Sequence, residues 1–351
     1  MPFGVYVHVP FCAKRCDYCA FATWTDRMHL VDDYVDACIQ ELSDLDLPPA
    51  TSVFFGGGTP SLIPGEQLAR ILHAVTMAAD AEVTVECNPD TVTSQLYETY
   101  ARAGVNRVSL GVQSMADHVL TSLGRTHDPA NVAHAVQCAH DAGIGRVNID
   151  LIYGAKGESV ADWRKTVEAV LDLTPRPTHV SAYGLTVEAG TPLAKDVDRH
   201  PDEDDQADKY LIVDDLLRRA GYRNYEISNW AQPGDECQHN MLYWRQQNYR
   251  GIGCAAHSHE DGRRWWNIRT PDRYIKSINE GTSIVADEER LDEPTRAFEK
   301  LELALRTAEG VPTTSLPVEQ LEGFVEVVGE RAVLTQKGRL MANDIATRLI
   351  V

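Results

Sequence analysis

Three cysteines, Cys12, Cys16 and Cys19, stand close together in the stretch PFCAKRCDYCAF. Soft thiolates on one short loop can wrap around a corner of an iron–sulfur cube, or can bind zinc. A zinc ion takes four protein ligands, or three and a water. Where a fourth cysteine would stand the chain has Phe21, an aromatic without a donor atom. Either the site is short of a ligand, or its last coordination position is kept open for a substrate.

A second constellation lies in CQHNMLYW, with His239, Asn240, Tyr243 and Trp244. Neutral imidazole is a good axial ligand for iron, and aromatic faces pack on a porphyrin. Asn240 can orient the ring through a supporting hydrogen bond. A histidine in an aromatic-rich stretch is also commonly just a packed, hydrogen-bonded residue. Cys237 is a further candidate for the same iron, as are His257 and His259 in GCAAHSHEDG, although loop histidines of that kind are usually bland. The RWWN run at 264–267 is expected to build a hairpin core rather than a cofactor face.

These groups need elements to position them. Short β-branched runs recur at VYVHV, SVFFGG, EVTVEC, RVSLGV, NIDLIYG and HVSAYGL, each a predicted strand. Between them lie segments of helical spacing: DDYVDACIQELSDL, GEQLARILHAVTMAA, TSQLYETYARAG, NVAHAVQCAHDAG and VADWRKTVEAVLDL. Strand and helix alternating in this way predict an α/β fold with a parallel sheet and right-handed crossovers. Six units fall short of a full eightfold barrel, so a partial (β/α)6 barrel is expected, with its site at the C-terminal strand ends. Polar residues collect there: Gly57, Gly58 and Thr59 after strand two, Glu86 after strand three, Gln113 after strand four, Arg125 soon after it, and Asp150 on strand five. Backbone without Cβ in GGGTP lets a ligand approach closely. Taken singly, Arg125 also reads as a helix cap and Asp150 as a partner for a backbone amide.

The barrel is expected over 1–221, an irregular aromatic-rich segment with short strands over 222–290, and a winged-helix-like cap over 291–351. In the cap, helices are predicted over EPTRAFEKLELALRTAEG and around Val318 to Val328, then a strand AVLT and a closing helix KGRLMANDIATRLI. A net charge of -19 repels phosphate backbones, so nucleic acid is not an expected partner and the cap is read as structural. The opening MPFGVYVHVPF lacks the features of a secretory signal, and no apolar run is long enough to span a bilayer. A cytoplasmic place is expected, with any membrane contact peripheral. The eight cysteines then read as thiols or metal ligands, with Cys38, Cys87 and Cys138 as small buried side chains.

The spacing Cys-x3-Cys-x2-Cys after a first strand, followed by an aromatic, resembles the radical S-adenosylmethionine (SAM) superfamily. There a 4Fe-4S cluster leaves one iron for the amino and carboxylate groups of SAM. The resemblance implies that Cys12, Cys16 and Cys19 hold the cluster, that Gly57, Gly58 and Thr59 meet the methionine amino group, and that Glu86 and Arg125 hold the methionine moiety. It further places Gln113 and Asp150 on the ribose, and Tyr6 and Tyr18 near the cluster.

The runs YVHVPFCAKRCDYCAF, FFGGGTP, ECNPD, SLGVQS and NIDLIYG resemble the branch that holds oxygen-independent coproporphyrinogen III oxidase (HemN) and the heme chaperone HemW. The likeness runs from Val5 into the terminal cap. In the oxidase a fourth cysteine stands where this chain has Phe21, whereas His239-Asn240-x-x-Tyr243-Trp244 matches the chaperones' heme motif, with His239 as iron ligand. The resemblance implies a heme carrier that delivers heme to acceptor hemoproteins, membrane-bound respiratory enzymes among them, with an iron-storage protein as donor and homodimerisation on cluster binding. The enzymatic alternative is anaerobic oxidation of coproporphyrinogen III, against which Phe21 and the heme motif both count. A different radical reaction on a tetrapyrrole, such as heme degradation or methyl transfer, has no feature specific to it.

Overall fold

The computed structural model describes residues 1–350. Six parallel strands lie side by side in chain order: β1 (Gly4–Val9), β2 (Ala50–Gly57), β3 (Met77–Cys87), β4 (Arg107–Gln113), β5 (Arg146–Tyr153) and β6 (His179–Gly184). Their apolar residues, among them Val5, Val7, Val53, Val85, Val108, Ile149 and Val180, form one continuous core. Strands buried on both faces read as near-continuous Val and Ile runs, which is why the six were legible.

Each strand is followed by helix: α1 (Val31–Ser43), α2 (Gly65–His73), α3 (Ser94–Ala103), the short α4 (Asp117–Ser122) with α5 (Ala130–Asp141), α6 (Val160–Leu171) and α7 (Glu203–Arg219). Local chemistry sets several boundaries. Thr93 accepts a hydrogen bond from the Leu96 amide at the start of α3, and Gly104, with φ of 104°, closes that helix in the left-handed conformation. A reciprocal capping box joins Ser159 and Asp162 at the start of α6. Asp202 caps α7, whose first turn carries Glu203, Asp204 and Asp205 against the positive end of the helix dipole.

Two expectations are shortened. Helical spacing continues past His73 into TMAA, but those residues enter β3, whose first pairing sets Met77 beside Ala50. The helix α4 has only six residues and carries too little periodicity to be seen.

The segment from 222 to 290 joins the same sheet. At one edge β7 (Arg223–Glu226) and β8 (Asn229–Ala231) extend β6 antiparallel. After α8 (Gln238–Trp244), β9 (Tyr249–Ile252) pairs parallel with the free side of β1. Beyond it β10 (His257–Glu260), β11 (Arg263–Asn267) and, after α9 (Pro271–Asn279), β12 (Val285–Arg290) continue antiparallel. The sheet thus has twelve strands in the linear order β12-β11-β10-β9-β1-β2-β3-β4-β5-β6-β8-β7.

The remaining residues build a small second core. After α10 (Glu293–Leu305), β13 (Val311–Pro312), β14 (Val325–Val328) and β15 (Arg331–Leu334) form a three-stranded antiparallel sheet backed by α11 (Gln336–Leu340) and α12 (Ala342–Ala346). Leu305, Val311, Leu321, Val325, Leu334 and Ile345 are among its buried residues. The helix expected around Val318 to Val328 is instead one short turn and a strand, because Gly323, at φ of 81°, turns the chain between them. The closing helix is split into α11 and α12. Arg339 pairs with the buried Asp214 of α7 at 2.9 Å and ties this unit to the barrel.

Candidate functional site

The cysteine loop leaves the C-terminal end of β1 and lies against the loop that follows β2. The Gly58 amide donates to the Val9 carbonyl and the Thr59 amide to the Phe11 carbonyl, each at 2.8 Å. A Cβ on Gly58 would stand 2.5 Å from the Phe11 carbonyl oxygen and 2.7 Å from that of Val9, so only glycine permits this approach. The Cys12 Sγ lies 3.5 Å from Thr59 Oγ1, and Arg125 Nη1 donates to Cys16 Sγ at 3.6 Å. The other terminal nitrogen of Arg125 donates to the Gly111 carbonyl. Burial raises the pKa of Cys12 and Cys19, and neighbouring thiols raise both further; Arg125 pulls Cys12 the other way, as Arg15 does Cys19.

All three thiols are free. Among the described residues no three His, Cys, Asp or Glu side chains converge as they would on a bare metal ion. A cubane asks for something looser, one thiolate at each of three separate irons. Three neighbouring thiols on one loop, with a guanidinium beside them and no fourth donor, fit that cluster better than a zinc ion. Phe21, at the position after the third interval, is 62% exposed.

The polar strand ends meet next to this loop. Glu86 accepts a hydrogen bond from the Gly57 amide at 3.1 Å, and burial together with the Asp150 carboxylate pushes it up to about 8. Gly57 has φ of 108°, and a Cβ there would lie 2.4 Å from the His8 ring. Asp150 accepts from Ser109 Oγ at 2.7 Å and Asn148 Nδ2 at 2.8 Å; burial raises its pKa as well. Gln113, with φ of 64°, ends β4, and its amide nitrogen and a terminal nitrogen of Arg125 both flank the bare Cα of Gly111. Tyr18 lies between Arg125, Cys16 and Cys19, and burial is the main reason its phenol is held in the neutral form. Glu86, Gln113, Arg125 and Asp150 therefore gather beside one another, with two half-buried acids and one half-buried cation.

The second constellation lies on α8. His239 is 1% exposed, its Nδ1 lies 2.8 Å from Ser52 Oγ, and its Nε2 lies 2.8 Å from the Tyr243 hydroxyl. Its ring stacks on Phe54 with centroids 5.3 Å apart, and burial pushes its pKa down to about 4. Its backbone amide donates to Glu82 Oε1 at 3.0 Å; although Glu82 is buried, Arg107 and Arg146 keep that carboxyl below its ordinary value. In this conformation neither ring nitrogen of His239 is free for iron. Asn240 is not the partner that orients the ring. Trp244 packs with Tyr225, Cys237 and Met241, and Cys237 is fully buried with its thiol pushed up to about 12 by burial.

Between the two constellations lies a cavity of about 700 Å³. Tyr6, Phe21, Tyr243, Tyr249, His257 and Trp266 are among its lining residues, and Ala20 and Ala22 of the cysteine loop complete one side. Its size falls in the usual range for small-molecule sites. Tyr243 and Tyr249 meet edge to face at 4.7 Å, and His257 stacks on Trp266 at 5.5 Å with ring planes 25° apart. His8, also lining, is held at both nitrogens, by the Ala22 carbonyl at 2.8 Å and the Tyr6 hydroxyl at 3.2 Å. The RWWN run divides: Trp265 is buried between the guanidinium groups of Arg250 and Arg263, as a hairpin core residue should be, whereas Trp266 faces the cavity.

Tyr249, Trp266, Arg269 and His8 were missed from the sequence. Only His8 left a signal there. On β1 the buried Val5, Val7 and Val9 alternate with Tyr6 and His8, so period two sends the polar pair to the other face. Tyr249 reaches the cavity on β9, beside β1, Trp266 through the register of β10 with β11, in which it pairs with His257, and Arg269 from the loop after β11.

Comparison with known proteins places these features in context. Residues 6–170 match the family model described as the radical SAM superfamily. A protein of Mycobacterium tuberculosis (strain H37Rv) named heme chaperone HemW is 40% identical over 99% of this chain and 95% of its own. One of the same name from Escherichia coli (strain K12) is 34% identical over 98% of this chain and 97% of its own. Among solved structures, coproporphyrinogen III oxidase (HemN) from Escherichia coli, titled a radical SAM enzyme, superposes with a TM-score of 0.84 at 22% identity, covering 99% of this chain and 89% of that one. At that identity the likeness speaks for the fold, and the fold is the same.

Proposed function

The chain belongs to the HemW family of the radical SAM superfamily, and from that premise we propose that it is a heme carrier, binding heme and passing it to acceptor hemoproteins. The observation that carries this reading is the aromatic-walled cavity of about 700 Å³ set against the cysteine loop. Flat aromatic faces interleaved with a few polar groups suit a tetrapyrrole.

Cys12, Cys16 and Cys19 would hold a 4Fe-4S cluster, which when bound would supply one-electron chemistry and a binding point for SAM. Around it the chain's own residues bind and orient. Glu86, Gly57, Gly58 and Thr59 receive the methionine ammonium, Arg125 steadies the methionine carboxylate and the thiolates, and Gln113 and Asp150 take the ribose. An ammonium beside Glu86 would draw its raised pKa back down, since a nearby positive charge favours the carboxylate. Tyr6 and Tyr18 fill the space between loop and strands. His239, Asn240, Tyr243 and Trp244 serve heme, with His239 reaching iron only in a conformation where Tyr243 has released it.

Acceptors include membrane-bound respiratory enzymes, an iron-storage protein is a donor, and the carrier forms a homodimer when the cluster is bound. Among the described residues no helix is long and apolar enough to cross a membrane. The encounter with membrane-bound acceptors is a peripheral one in this reading, made from the cytoplasm.

Anaerobically reconstituted protein titrated with hemin is the direct test. A saturable Soret band is expected, and its absence would overturn the carrier reading. Incubation with SAM, a reductant and coproporphyrinogen III should yield no protoporphyrinogen IX. Formation of that product would establish the oxidase instead.

A further inference from the structure

Four histidines stand on or just behind the cavity wall, and three have both ring nitrogens engaged. His8 and His239 are held as described above. His259 has Nδ1 2.9 Å from the Gln247 carbonyl, while its Nε2 accepts from the Gly262 amide at 3.1 Å. The ring of His257 makes no hydrogen bond among the described residues; it is exposed to the cavity and fixed only by its stack on Trp266. On the same wall Arg269 is exposed and forms no ion pair among the described residues. The opposite side is Phe21 and the methyl groups of Ala20 and Ala22.

An axial ligand needs a lone pair that faces open space, and a propionate seeks a fork of N–H donors. Among the histidines and arginines of the described residues that line the cavity, only His257 and Arg269 present these without first breaking another bond. We propose that His257 is an axial iron ligand of heme in this cavity, the one available while Tyr243 still holds His239, and that Arg269 pairs with a heme propionate. This assignment rests on the heme-carrier reading. Trp266 sets the imidazole's orientation, and Phe21 supplies a face for the macrocycle that a cysteine there would not.

The test uses the full chain, reconstituted anaerobically and titrated with hemin. His257→Ala should move the Soret maximum and weaken binding by at least the roughly 10- to 100-fold seen when a metal ligand loses a supporting partner. Free imidazole added to that variant should restore the wild-type band, which a merely structural role would not allow. His257→Gln, similar in size, should behave as His257→Ala does before rescue. Arg269→Gln should weaken hemin but leave hemin dimethyl ester unaffected. If wild type binds hemin and both His257 variants keep its Soret maximum and affinity, the assignment fails and the carrier reading stands. A Soret shift confined to His239→Ala would likewise overturn it. If wild type binds no hemin at all, the carrier reading itself has failed.

Discussion

The Nε2 of His239 and the hydroxyl of Tyr243 lie 2.8 Å apart on one face of α8, four residues from each other along the helix. That spacing stacks the two side chains one above the other, so the motif can serve as an internal clamp between β2 and the cavity wall. Tyr243→Phe would leave a buried imidazole nitrogen without a partner, at a cost of about 1–3 kcal/mol. Urea unfolding should show a lower midpoint with an unchanged slope. An unchanged midpoint would show that the clamp contributes nothing.

Gly58 brings two loops into backbone contact. In Gly58→Ala the new Cβ must displace the carbonyls of Val9 and Phe11, so the cysteine loop shifts and the thiols lose their places. Iron and sulfide per chain after anaerobic reconstitution should fall toward the level of Cys16→Ser, which is expected to hold no cluster. Gly145→Ala, where an added Cβ meets nothing within 4 Å, is the control and should load normally.

Glu41 is buried among Tyr274, Asn267 and the Gly253 amide, and burial pushes it up to about 7 despite those donors. A carboxyl whose folded pKa is raised binds protons more tightly when folded. Its contribution is therefore fully present below the ordinary glutamate value and is lost as pH rises through about 7. Stability at pH 8 should be lower by about 3 kcal/mol on this account alone. Glu41→Gln should flatten the dependence between pH 4.5 and 7, read from urea midpoints across that range; an unaltered profile would remove Glu41 as its source.

Lys209 has no exposed surface. Its Nζ lies 3.1 Å from Glu158 Oε2 and 2.6 Å from Asp205 Oδ2, and donates to the Glu158 carbonyl at 2.8 Å. Lys209→Met would strand a buried carboxylate, at a cost of about 3–5 kcal/mol. Adding Glu158→Gln should recover part of that loss, as a double-mutant cycle would measure.

The alternation of six strands with helices was legible because parallel strands buried on both faces announce themselves as apolar runs, as in NIDLIY. The cysteine loop was legible too, since its donors are neighbours in the chain. What could not be read was any contact made by register. His257 meets Trp266 only because β10 and β11 pair antiparallel, and neither four- nor five-residue strand carries enough pattern to set that pairing. His239 shows the converse. Its motif was plain, yet the partner at its Nδ1 is Ser52, far away in sequence, which no local spacing can reveal.

The linear strand order has one more consequence. The first stretch of chain carries the cysteine loop, while the far wall of the cavity is encoded by a distant stretch that joins the sheet beyond β1. Substitutions in the later stretch can therefore reshape the cavity while the cysteine loop keeps its sequence. What the cavity admits is thus set largely by residues the six parallel strands do not supply, so its selectivity can be re-engineered without touching them.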